Sequence, residues 1–447
     1  MQIYSYLLNL VYCLILVCAS PVILYRALVQ KKYWSGLEQK FLGQLPERHS
    51  TQPCLWFHAV SVGEVLQLPP LLEALSQEHP ALEFVISTTT HTGYAVAKEK
   101  FPGHLVCYFP LDFSWAVKRA LQRIRPTAVL LVEMELWPNF VLAADKSGIP
   151  VLIINGRLSE KSFRGYQKLR WLIGPLLNRL QLIAVQTETY AERFQKLTGR
   201  SDRMQVTGSI KFDGIEVNRE NSLTAELKHV FQLKSDEIVL VAGSTQSPEE
   251  QIALDVYLAA RQRFPRLRLI LVPRHQERFN EVAELVKRNG LPLLRRSEQE
   301  SDEVGTVLPF TNRQSPAIGL LDTLGELKSC WGLADFAFVG GSLTKRGGQN
   351  MIEPAGYGTA LMLGPNTWNF KDVVDALLQH EATTIVHDQS EFQEVLNHWL
   401  EHPRLAEEQG ARAQRFVLDQ RGATLRTRDL ISPLITGCPS DLQGKAA

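Results

Sequence analysis

Net charge is nearly absent from this chain. Its 48 Lys and Arg against 47 Asp and Glu leave +1 over 447 residues, so no global field draws it to nucleic acid, and no nucleic-acid partner is expected. Cysteine is sparse and scattered. Cys13, Cys18, Cys54, Cys107, Cys330 and Cys438 form no C-x-x-C pair, and two of them sit in the N-terminal apolar segment. That excludes a disulfide framework or a zinc-finger spacing and suits a reducing compartment. His398 and His402 share a helical face, but Pro403 follows and no further His or Cys is near in sequence. The pair reads as a solvated helix end, and no metal is expected. Repeats and low-complexity tracts are missing as well.

The most telling absence is local. From Gln2 to Tyr25 there is no charged side chain, and Arg26, Lys31 and Lys32 follow. The span is long enough to cross a bilayer. It lacks the leading positive charge and trailing small residues of a cleaved signal. The expectation is one uncleaved anchor with its N-terminus outside and the rest of the chain in the cytoplasm; a shallow interfacial helix is the alternative. Pro21 is expected to kink that helix or end it early.

The chain as a whole is ordinary in composition, 45% apolar and 21% charged, and too long for one core. Short apolar runs alternate with helical patterns from Leu55 to Gln186 and again from Ile238 to Leu363, with a polar break at 214–235. The reading is α/β: two doubly wound parallel-sheet domains facing a cleft, with ligands at the carboxyl ends of strands. The boundaries expected are an anchor over 1–30, domains over 31–215 and 235–430, and a tail over 431–447. Residues 295–316 read as a polar surface loop, and those after Thr436 as frayed.

Candidate chemistry collects where strands end. Ser61-Val62-Gly63-Glu64 follows the first apolar run. It reads either as a capping box or as a general base at a strand end, with the tension that a helix N-terminus lowers a carboxylate's basicity. Glu133 and Glu135 close another strand two positions apart, with Met134 between them, and share a face in an extended chain. Lys211 suits a phosphate in an interdomain cleft, or a solvated pairing with Asp213. Ser244, Pro273-Arg274 and Leu324-Gly325-Glu326 each follow a strand of the second set. Between Asp335 and Gly364, the glycines at 340–341 with Ser342 suggest backbone N–H groups aimed at a phosphate. Asn350 and Glu353 follow, the latter placed to accept from ribose hydroxyls.

Together, HAVSVGE (58–64), VEMELWPN (132–139), INGRLSEKS (154–162), TGSIKFD (207–213), LVPRHQERF (271–279), DTLGEL (322–327) and FVGGSLTKRGGQN (338–350) resemble blocks of the 3-deoxy-D-manno-octulosonic acid (Kdo) transferases of lipopolysaccharide assembly. The resemblance implies a GT-B fold, an acceptor-binding first domain and a nucleotide-sugar-binding second one. It implies inverting transfer of Kdo from CMP-Kdo to a lipid A precursor at the inner membrane, without metal or other cofactor. Residue by residue, Glu64 matches the general base, and Glu133 and Lys211 match residues that assist the transition state. Pro273, Arg274, Leu324, Gly325, Glu326, Asn350, Met351, Ile352 and Glu353 match the CMP site, to which Ser244, Gly341 and Ser342 are possible additions. Gln246 and Gln349 stand where the family usually has His, and Met351 where Pro is common. Those departures leave open a related membrane-bound GT-B transferase with a different nucleotide sugar or lipid acceptor.

Overall fold

The computed structural model describes residues 2–30, 35–298 and 317–436. Most of the loop expected over 295–316, and the tail after Thr436, lie outside the described residues. At the start of that loop, Arg295 ends a strand and Arg296–Glu298 forms a single 3₁₀ turn.

The chain divides into two compact units. One comprises Met1–Gly214 with Gln420–Ala447, the other Ile215–Asp419. Two segments therefore differ from expectation. Residues 215–234 are no break: helix Ser222–Val230 buries Leu227 and Val230 in the second unit, and its Thr224 hydroxyl donates to Ser329 O at 2.8 Å. At the other end, helix Ala423–Thr436 returns to the first unit, packing on helix Pro69–Glu78 and burying Ile431. The Asp213 carboxylate caps it, accepting from Gly422 N–H at 2.6 Å and from Thr424 N–H.

The first unit holds β1 (Cys54–His58), β2 (Glu83–Thr88), β3 (Leu105–Tyr108), β4 (Ala128–Val132), β5 (Val151–Gly156), β6 (Leu182–Val185) and β7 (Met204–Val206) in the order 3-2-1-4-5-6-7, all parallel. Alternate residues serve opposite faces: Leu55, Phe57, Leu130 and Ile154 enter one core, Trp56, Val129, Leu131 and Ile153 the other. That double burial is why these strands read as unbroken apolar runs. The second unit holds β8 (Ile238–Thr245), β9 (Leu267–Pro273), β10 (Leu293–Arg295), β11 (Ile318–Leu320), β12 (Phe336–Val339), β13 (Ala360–Leu363) and β14 (Thr384–Ile385), ordered 10-11-9-8-12-13-14 and again parallel. The very short β7, β10 and β14 give no signal in the sequence, because two or three residues show no periodicity.

Both units are thus doubly wound. In each, the strand order reverses beside the first strand, between β1 and β4 and between β8 and β12. Such switch points open a crevice at the carboxyl ends of the strands.

Ahead of the first sheet, α1 (Gln2–Gln30) is one continuous helix of 29 residues, with Pro21 inside it and no break there. Its Tyr4–Val22 segment, mean hydropathy 1.9, is long and apolar enough to cross a membrane. The short α2 (Leu37–Leu42) follows.

Candidate active site

At the first switch point the chain leaves β1 through Ser61 into α3 (Val62–Val65). Ser61 caps this turn. Its hydroxyl donates to Glu64 Oε1 at 2.7 Å, and Val60 N–H donates to Oε2 at 2.8 Å. The capping geometry is real, and it leaves the chemistry intact. Burial pushes the Glu64 carboxyl up, against the Ser61 and Val60 donors, and the charge of Glu133 adds to the rise. Burial therefore outweighs the acidifying helix end, leaving Glu64 a stronger base than a solvated carboxylate.

Beside it, β4 ends at Val132 and the chain turns sharply. Glu133 has φ +62°, a left-handed conformation costly for a residue with Cβ. The extended chain that would set Glu133 and Glu135 on one face is therefore not what forms. Both still face Glu64 electrostatically. Burial first, then the charges of Glu64 and Glu133, push the Glu135 carboxyl up to about 7. Met134, Leu136 and Trp137 pack against the core below, which explains why this turn keeps a strained shape.

Lys211, in the 3₁₀ turn Ile210–Phe212, places Nζ 3.1 Å from Glu133 Oε1. Its partner is thus Glu133; Asp213, the pairing weighed from sequence, caps helix Ala423–Thr436 instead. Glu64, Glu133 and Glu135 thus form one cluster coupled by charge, and Lys211 joins it through Glu133.

Two further residues hold that cluster together, and sequence reasoning passed over them. Asn155, fully buried with φ +53°, donates from Nδ2 to Gln67 Oε1 at 2.8 Å and accepts Ile210 N–H at Oδ1 at 3.3 Å. Gln67 Nε2 in turn donates to Gly63 O at 2.8 Å. A chain of amides therefore runs from the residue before Glu64 to the residue before Lys211. The available signal was an Asn closing an apolar strand run, since a buried amide must find partners. His58, one of the quoted block, is a core residue: fully buried, stacked on Phe109 at 3.7 Å, and pushed down by burial to about 3.

In the second unit the loops after β11, β9, β8 and β12 lie on neighbouring strands, so the segments expected to hold CMP share one edge. Arg274 is exposed, and its backbone N–H donates to Thr245 O at 3.0 Å. Its charge reaches Glu353, whose carboxyl burial pushes up and Asn350 Nδ2, donating at 3.0 Å, pulls down. Leu324 is an exposed apolar tip beside Gly325, which has φ +88°. Glu326 is engaged, accepting from the Arg296 guanidinium at 3.1 Å and from the Thr323 hydroxyl. Pro273, Met351 and Ile352 are buried, so only their backbone groups can meet a ligand.

The glycine turn departs from its expected role. Gly340 packs where a Cβ would fall 2.5 Å from Thr245 Cα, and Gly341 has φ +67°, so both positions need glycine. Their purpose is internal. Glu249, fully buried at the start of helix Glu249–Arg261, accepts Gly341 N–H at 2.7 Å, Ser342 and Leu343 N–H at 3.0 Å, and Gln246 N–H at 2.9 Å. A carboxylate of the protein thus fills the place assigned to a phosphate. The Ser342 hydroxyl is also spent, donating to Val339 O and accepting Gly364 N–H. The N–H groups of Gly341 and Ser342 are therefore occupied within the protein and not free for a phosphate, contrary to the expectation. Ser244, also left-handed at φ +53° and buried, abuts Gly340 as part of the same packing. Gln246 and Gln349 converge here: a Cβ at Gly341 would lie 3.4 Å and 3.2 Å from their Nε2 atoms.

Among the described residues no group of His, Cys, Asp and Glu is arranged to hold a metal ion.

Comparison with known proteins adds sequence and fold evidence. A family model described as 3-deoxy-D-manno-octulosonic-acid transferase (kdotransferase) matches residues 36–214. The 3-deoxy-D-manno-octulosonic acid transferase of Haemophilus influenzae is 31% identical over 433 residues, covering 94% of this chain and 97% of that protein. Among solved structures, UDP-GlcNAc 2-epimerase from Neisseria meningitidis matches with TM-score 0.52 at 12% identity, over 83% of this chain and 99% of that one. Acinetobacter baumannii MurG matches with TM-score 0.51 at 14% identity, over 85% and 99%. Those two likenesses bear on the fold alone.

Proposed function

The chain belongs to the 3-deoxy-D-manno-octulosonic acid (Kdo) transferase family, and from that premise we propose that it is an inverting glycosyltransferase moving Kdo from CMP-Kdo to a hydroxyl of a lipid A precursor. Glu64 takes the proton of that hydroxyl. The freed oxygen bonds to the anomeric carbon, the bond from that carbon to the CMP phosphate breaks, and CMP leaves with the electron pair. The observation that carries this reading is Glu64 itself, a carboxyl raised by burial at a switch-point edge and held by two short hydrogen bonds. Glu133 supports the reaction by holding Lys211, whose ammonium meets charge developing on the phosphate; in the second unit, Arg274 is the cation offered to the donor. The Asn350–Glu353 pair and the backbone of Leu324–Glu326 hold the nucleoside. The donor charge is met by these side chains, so activity is expected to survive EDTA.

The acceptor is a membrane lipid and the donor a soluble nucleotide sugar. Both suit an enzyme held by α1 at the inner membrane, with its catalytic units in the cytoplasm. One observation favours a second reading, a related transferase with another donor: Gln246 and Gln349 meet beside Gly341, and an amide there cannot carry the proton a His can. The test supplies purified protein with a lipid A precursor and a panel of CMP-, UDP- and GDP-sugars, with mass spectrometry of the lipid. A Kdo adduct formed only from CMP-Kdo and abolished in Glu64→Ala is the expected result. Product from another sugar nucleotide alone establishes the second reading, and no product from any overturns both.

A further inference from the structure

The helix α1 is fastened to the catalytic unit through polar side chains in its apolar middle. Asn9, only 7% exposed, donates from Nδ2 to Ser114 Oγ at 2.8 Å, and its Oδ1 accepts Ser114 N–H at 3.1 Å and Asn139 Nδ2 at 3.2 Å. One turn on, the Tyr12 hydroxyl donates to Asp112 Oδ2 at 2.8 Å, and its ring meets Phe113 edge-on at 6.0 Å. The receiving side is rigid. Asp112, 4% exposed, also accepts Asn139 N–H at 2.9 Å and Phe140 N–H at 2.8 Å, so it caps helix Pro138–Lys146. That helix directly follows the turn bearing Glu133 and Glu135.

This fastening and a crossing of the bilayer exclude each other. If Tyr4–Val22 filled the hydrocarbon, Asn9 and Tyr12 would lie about 8 and 12 Å inside its outer boundary, at 1.5 Å per residue. Asp112, Ser114 and Asn139 would be carried to that depth with the folded unit around them, and hydrocarbon does not accept loops and charged groups facing it. The opposite side of α1 is what lipid accepts. Tyr6, Leu7, Leu10, Leu14 and Val17 are more than half exposed on it. Beside it, helix Ser114–Ile124, which α1 contacts, exposes Trp115, Lys118 and Arg119. An aromatic side chain at headgroup level with cations next to it complements an anionic phospholipid surface.

We propose that α1 is an interfacial helix, latched to the catalytic unit by Asn9 and Tyr12, and that it lies along the cytoplasmic face of an anionic phospholipid membrane rather than crossing it. The latch sets the height of the Glu64 cluster above the lipid. Asn9 and Tyr12 are then positioning residues for the lipid acceptor, a role that depends on the transferase reading.

The test is a labelling experiment on the full chain. A cysteine introduced by Gln2→Cys, in a Cys13→Ala, Cys18→Ala, Cys438→Ala background, is exposed to a membrane-impermeant maleimide in spheroplasts and in inverted inner-membrane vesicles. Labelling only in inverted vesicles is expected, and labelling only in spheroplasts overturns the proposal whatever the enzyme's substrate proves to be. The second measurement is kinetic. Asn9→Leu with Tyr12→Phe is expected to remain in the membrane pellet, keep kcat, and raise KM for the lipid acceptor about tenfold, the scale of one or two lost hydrogen bonds. An unchanged KM in that folded variant also overturns the positioning role. Loss of all turnover in the wild type with the expected labelling overturns the transferase reading alone.

Discussion

Two glutamates sit at corresponding places in the two units, each beside the switch point of its sheet, and they have opposite fates. Glu249 is fully buried and accepts backbone N–H groups from Gln246 and from Gly341 to Leu343. Its oxygens are used up inside the protein. Glu64 accepts one backbone N–H and one hydroxyl, and remains partly open. Its spare lone pairs and raised basicity are available to a substrate. A carboxylate at a strand-to-helix turn is therefore structural or chemical according to how many donors the turn supplies. A glycine-rich turn supplies many, so the more conspicuous motif of the two is the structural one.

The largest effect expected from this contrast is on folding. Glu249→Ala leaves several buried N–H groups without acceptors at about 1–3 kcal/mol each, so a loss of at least about 3 kcal/mol in denaturant unfolding is expected. If the variant unfolds like the wild type, the turn has other acceptors and the contrast fails. Glu64→Gln inverts the pattern. Stability stays within about 1 kcal/mol, the worth of a cap, while Kdo transfer falls about 10²–10⁴-fold, as for a lost general base. The two substitutions measured side by side for unfolding and CMP release should give a crossed result.

Legibility in the sequence divides along the same line. The long apolar strands and their parallel arrangement were readable because burial on both faces leaves an uninterrupted run. Glu64 was singled out because it follows an apolar strand, whereas choosing Glu133 over Glu135 and linking Lys211 to them rested on the family resemblance; the Lys211–Glu133 pair itself was not readable, being a contact across nearly eighty residues. What the glycine turn does was not readable. Glu249 lies more than ninety residues before Gly341, and nothing local tells a turn built for a phosphate from one already filled by a carboxylate. Helix Ala423–Thr436 was misassigned for a related reason: its anchor, Asp213, is a contact across some two hundred residues. Asn155 was visible as a polar residue in a buried strand, and its partners were not.

The amide chain gives a smaller test of the same contrast, since it ties the Glu64 turn to the rest of its cluster. Gln67→Leu removes the bridge between Gly63 and Asn155 without touching a charged group. The expected result is a drop in kcat of about tenfold, with KM for CMP-Kdo nearly unchanged, because misplacing reacting groups acts on the chemical step. A loss of stability with kcat intact would reduce the chain to a packing element.

The smallest effect expected concerns Glu135, and its sign is the informative part. Burial and two neighbouring carboxylates raise its carboxyl to about 7, so the folded protein holds that proton more tightly than the unfolded chain does. Stability associated with this group is therefore complete at low pH, declines as pH climbs from the usual carboxylate value of about 4.3, and is lost above about 7. Gln carries no such proton, so Glu135→Gln should match the wild type near the lower value and exceed it in thermal stability at pH 8. The neighbouring charge that raises Glu64 is that of Glu133, while Glu135 stays protonated up to about 7. The acid limb of kcat/KM should therefore stay in place in Glu135→Gln, and a limb that moves to lower pH would show Glu135 to be charged when Glu64 titrates. A stability difference of the opposite sign would show that Glu135 is held in its charged form by partners in solution, making it a carboxylate with satisfied oxygens like Glu249 instead of a partly open one like Glu64.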